Sequence, residues 1–163
     1  MKKHLPYLAL LLVLGLGASA LYWDHVIKSN LPPHEDFDNQ ALAWAAAVEY
    51  KQAHGGQIIR ILGTGSMAPL IPPSAPGRKP EETIVAFVVT EDGATYEDVS
   101  TGDLVSYRAA WSPKYGILHV ALTQDSGGWI MSGLHNSYSE PQWRVTRDNF
   151  LGITAKVFNW PQT

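Results

Sequence analysis

No cysteine occurs in the 163 residues. That absence excludes disulfides, thiolate metal sites and a cysteine nucleophile, and it leaves the redox compartment open. Any covalent catalysis must then use Ser, Thr, Lys or a carboxylate. Charge is sparse as well. Asp, Glu, Lys and Arg make up 17% of the chain and the net charge is −3, so there is no basic footprint for nucleic acid. No internal repeat and no low-complexity tract is found, and neither a metal nor an organic cofactor is expected. What is present in quantity is apolar: hydrophobic residues reach 45%, enough to bury one core in a chain of this length.

The longest uncharged run lies at the start. Lys2, Lys3 and His4 precede Leu5 to Trp23, a stretch of about 28 Å as a helix, against roughly 30 Å for a bilayer's hydrocarbon core. Tyr22 and Trp23 stand at its far end, where interfacial aromatics belong, and the lysines predict a cytoplasmic N-terminus with the rest of the chain exported. A cleaved signal peptide is the competing reading, because Ala18-Ser19-Ala20 suits such cleavage. Residues 1–4 are thus a cytoplasmic n-region, 5–23 a transmembrane anchor or signal peptide, and 24–56 a spacer and amphipathic helix. Residues 57–163 form a β-rich domain.

The spacer is polar and carries Pro32-Pro33. A helix is predicted from about Asp38 to His54, capped by Asp36, Asp38 or Asn39 and stopped by Gly55-Gly56. Phe37, Ala41, Trp44 and Val48 share a stripe at helical spacing. Strands are expected at 57–62, 84–90, 104–108, 117–122, 129–131 and 151–158. Turns intervene at 71–79, 91–100, Gly102-Asp103 and 111–116. Short strands at this spacing predict a mainly β, antiparallel, folded-sheet or barrel-like domain.

One turn stands out. The apolar run Ile59 to Leu62 enters Gly63-Thr64-Gly65-Ser66-Met67-Ala68-Pro69, a strand ending in a tight turn that presents one hydroxyl. A serine is a weak nucleophile until a neighbouring base takes its proton. Among the six histidines, His119 is distinctive because it sits inside the apolar strand 117–122. Alternation places it on one face with Ile117 and Ala121, and an imidazole buried there needs hydrogen-bond partners. His135, after Gly133-Leu134, is a second candidate base. Lys114 is a third if desolvated, although it falls in the turn 111–116. The same residues also suit a turn serine and a core histidine in a domain that only binds partners.

The order of these features is similar to that of a known family. An apolar anchor is followed by Thr64-Gly65-Ser66-Met67-Ala68-Pro69, then by Gly102-Asp103-Leu104-Val105, then by a strand carrying a base. From Leu5 to about Phe158 this resembles the type I signal peptidases, membrane-bound serine proteases that remove signal peptides. The resemblance implies Ser66 as nucleophile and His119 as base, as in the endoplasmic-reticulum-like branch. It also implies an oxyanion hole of the Ser66 N–H and the Thr64 hydroxyl. The expected partners are a preprotein or other exported polypeptide and membrane lipid. The chain departs from the family pattern in three ways. Val120 stands where histidine-containing members have arginine. The later Gly-Asp-Asn box is reduced to Gly133-Leu134-His135-Asn136 without its aspartate, leaving Glu140, Asp148 or His135 to orient the base. The loop 72–80 resembles an insertion. These departures suit a dedicated pilin or conjugation-type peptidase, or an inactive tethered β domain, as alternatives.

Overall fold

The computed structural model describes residues 31–74, 77, 84–135 and 140–160, with backbone alone at 140–143. The n-region, the apolar run 5–23 and most of the spacer lie outside the described residues, as does part of the loop 72–80. Among the described residues no helix is long and apolar enough to cross a membrane.

The first described element is a short strand, β1 (His34–Asp36), placed within the expected spacer. The helix α1 (Gln40–His54) follows. Asn39 caps it by accepting the Leu42 N–H at 3.1 Å. At its other end Gly55 has φ 80° and returns its N–H to the Lys51 carbonyl, the left-handed stop that glycine favours. The buried face differs from the predicted stripe. Ala43 and Ala47 are fully buried, packed with Phe87, Val89, Phe158 and Trp160, while Ala41 is exposed and Trp44 is 42% exposed. Small side chains let the helix axis approach the sheet closely. Trp44 is too large for that seam and meets Phe87 edge-on from the side, with ring centroids 5.1 Å apart.

Among the described residues, strand makes up 46% and helix 16%, so the fold is mainly β. Five strands close a barrel: β2 (Ile58–Leu62), β3 (Ile84–Thr90), β4 (Leu104–Ala109), β5 (Ser112–Asp125) and β8 (Phe150–Asn159). Their cyclic order is β4-β8-β3-β2-β5. Four contacts are antiparallel, with Phe87 opposite Phe158 and Val105 opposite both Ile153 and His119. The fifth is a parallel contact at Ile61–Gly116. A Cβ on Gly116 would lie 2.6 Å from the Ile59 side chain, so the barrel closes where glycine leaves room. β5 then runs on to pair with β6 (Gly128–Ser132), and β6 with β7 (Glu140–Val145).

β5 begins at Ser112, not after a turn spanning 111–116. Ala109 pairs with Ser112 across a turn at Ala110 and Trp111. Pro113 and Gly116 suggested loop, yet Pro113 and Lys114 are exposed strand residues, and pairing with β4 overrides their local preference. β7 was missed for a related reason, because its Glu-Pro-Gln start carries no apolar alternation. The main core joins Leu62, Val105, Tyr107, Ile117, Ala121, Trp129, Met131, Val145 and Ile153, contributed by β2, β4, β5, β6, β7 and β8.

Candidate active site

The serine turn leaves β2 at Leu62 and is held from several directions. The Gly63 carbonyl accepts both the backbone N–H and the hydroxyl of Ser74, each at 3.0 Å. Gly65 has φ 81°, a conformation closed to most side chains. Met67, Leu70 and Ile71 are buried and pin the far side of the turn. The Asn159 amide at the end of β8 donates to the Leu70 carbonyl at 2.7 Å. Opposite lies the turn after β6. The His135 N–H donates to the Ser66 carbonyl at 2.8 Å, and Gly133 packs so tightly that a Cβ would lie 2.5 Å from that oxygen. The half-buried Ser66 is therefore fixed through its backbone.

His119 approaches from β5. Its ring is 2% exposed, and its Nε2 lies 2.8 Å from the Ser66 hydroxyl. The same hydroxyl is 2.8 Å from Thr64 Oγ1. On the other side of the ring, Nδ1 lies 2.9 Å from the Tyr107 hydroxyl. Tyr107 stands on β4, two residues beyond Val105, the direct cross-strand partner of His119. It is thus the diagonal neighbour within reach of a long side chain on the same face.

Burial pulls the His119 pKa down from 6.5 to about 4, because a charged ring loses its hydration there. At neutral pH the imidazole is uncharged and carries one proton. For Nε2 to accept the Ser66 hydroxyl, that proton must be on Nδ1, where it is donated to the Tyr107 oxygen. The assignment yields one consistent chain: Thr64 hydroxyl to Ser66 oxygen, Ser66 hydroxyl to His119 Nε2, His119 Nδ1–H to Tyr107 oxygen. Such a chain can move a proton from Ser66 to His119. Among the described residues no group of three or more His, Asp or Glu side chains is arranged to hold a metal.

The structure brings the side chains of Ser66, His119 and Thr64 together. Asp148 is exposed in the turn between β7 and β8. The His135 side chain is exposed too, and that residue gives its N–H to the Ser66 carbonyl. Glu140 begins β7, and its side chain lies outside the described residues. Lys114 is an exposed residue of β5. Sequence reasoning missed Tyr107 because it looked for a carboxylate. The signal was the register of the β4–β5 hairpin, which puts Tyr107 on the face of Val105 and beside His119. The chain matches no protein-family model, and no curated protein matches it.

Proposed function

We propose that this protein is a membrane-anchored serine endopeptidase of the signal-peptidase type, with its β domain on the exported side of the membrane. The observation that carries the reading is the 2.8 Å contact between the Ser66 hydroxyl and His119 Nε2, a geometry suited to nucleophile and base. The Ser-Met-x-Pro and Gly-Asp-hydrophobic boxes support it from the sequence. In the reaction, Ser66 Oγ attacks the scissile carbonyl carbon while Nε2 takes the hydroxyl proton. The resulting oxyanion is met by the Ser66 N–H and the Thr64 hydroxyl. Nε2 then gives its proton to the leaving amine as the C–N bond breaks, leaving the acyl group on Ser66. A water attacks the ester, His119 takes the water's proton, and Ser66 is released with its hydroxyl restored.

The sheet also suits an extended substrate. β2 touches β5 at Gly116, and β6 joins the same edge of β5 from Val120 onward. Ser66 and His119 lie at the fork between β2 and β6, where a peptide would add as a strand. The substrate is an exported segment with small side chains near the cut. The test is cleavage of a model preprotein in membranes by the wild type, Ser66→Ala and His119→Ala. Both substitutions should abolish cleavage. Full activity in Ser66→Ala overturns the assignment, and no cleavage by any form favours a tethered domain that only binds partners.

A further inference from the structure

We propose that Tyr107 is the positioning residue of the Ser66–His119 pair, holding the base by a neutral phenol oxygen. This assignment rests on the peptidase reading above. Its basis is the contact of the Tyr107 hydroxyl with His119 Nδ1 at 2.9 Å, made between two side chains that are 1% and 2% exposed. The imidazole has two ring nitrogens and, when neutral, one proton to place. If that proton lies on Nε2, the ring cannot accept from Ser66 and the pair is inert. The proton can sit on Nδ1 only if an acceptor meets it there, because a buried N–H without a partner carries the full desolvation penalty. The Tyr107 hydroxyl, able to accept as well as donate, is placed to be that acceptor. It also fixes the ring about its χ2 torsion, since Nδ1 and Nε2 are tethered on opposite edges.

The β-sheet makes the arrangement rigid. Tyr107 and His119 project from neighbouring strands of a paired hairpin, and the tyrosine ring is embedded in the main core with Ile117, Met131 and Ile153. A group on a strand is placed more accurately than one on a loop, whereas Asp148 stands in an exposed turn. A tyrosine hydroxyl, unlike a carboxylate, can accept from Nδ1 as part of an O–H group and so orients the ring in a different way from the usual acidic partner.

The test uses the full chain in detergent, labelled with 15N-histidine, as wild type and Tyr107→Phe. His119 resonances are identified by their loss in His119→Gln. The wild type should show a protonated Nδ1 and an unprotonated Nε2. Tyr107→Phe should move the ring to a mixture of tautomers and lower kcat about 10²-fold, with KM nearly unchanged, the lower range for a well-placed base. If Tyr107→Phe does not fold, 3-fluorotyrosine at position 107 keeps the shape with a poorer acceptor, and should lower kcat several-fold. Ser66-dependent cleavage that survives Tyr107→Phe, or activity lost with the tautomer unmoved, overturns the positioning role alone. Absence of Ser66-dependent cleavage in the wild type overturns the peptidase reading and the role together.

Discussion

Acidification offers a measure of how strongly the fold holds His119 neutral. In the unfolded chain this imidazole takes a proton below about pH 6.5, whereas burial delays protonation in the folded protein to about pH 4. Between those values the unfolded state binds more protons, so stability rises with pH and falls as pH is lowered. The stabilisation is complete above pH 6.5 and fully lost below about pH 4. At about 1.4 kcal/mol for each tenfold change, the loss is about 3 kcal/mol, a large share of a domain's net stability. The assay is denaturant unfolding of the full chain at a series of pH values, for wild type and His119→Gln. The carboxyls of Glu97, Asp98 and Asp125 are held low by Arg147, by the Thr95 N–H and by the Gly127 N–H respectively. They act equally in both proteins and cancel in the difference. The stability difference should move by about 3 kcal/mol against wild type between pH 6.5 and pH 4. Parallel curves would refute the buried, neutral imidazole.

Three further outcomes follow from the packing around the site. Gly133→Ala would place a Cβ 2.5 Å from the Ser66 carbonyl oxygen, so the serine turn must move; peptidase activity should fall at least about 10-fold while circular dichroism remains native. Thr64→Val removes a hydroxyl 2.8 Å from Ser66 Oγ; on the proposed peptidase reading, where that hydroxyl meets the oxyanion, it should lower kcat by about 10²-fold, with KM little changed. Ala43→Leu thrusts a larger side chain into the fully buried seam between α1 and the barrel; it should destabilise by about 1–3 kcal/mol in urea unfolding, and an unchanged midpoint would contradict the close packing of that helix.

The strands of the barrel and the two central site residues were legible because their signals are local. The β-branched run 84–90 is a strand from end to end, and Gly55 ends α1 as its position suggests. Ser66 announced itself by Gly63 and Gly65 just before it, and His119 by its place in an apolar strand. What escaped depends on partners distant in sequence. The seam of α1 was misplaced because the sheet selects the small alanines, not the largest apolar residues. Tyr107 became visible only with the β4–β5 register, and Gly133 only with the turn that packs on Ser66. A mainly polar stretch such as Glu140–Val145 becomes a strand because β6 presents an edge to it.

On the proposed mechanism Ser66 forms a covalent bond with its substrate. A single-turnover reaction of the full chain in membranes with a preprotein, quenched in acid and digested for mass spectrometry, reads this directly. The N-terminal substrate fragment should appear as an ester on Ser66 in the wild type, with no such adduct in His119→Ala. Cleavage that proceeds in Ser66→Ala, or an adduct on any other residue, would contradict it.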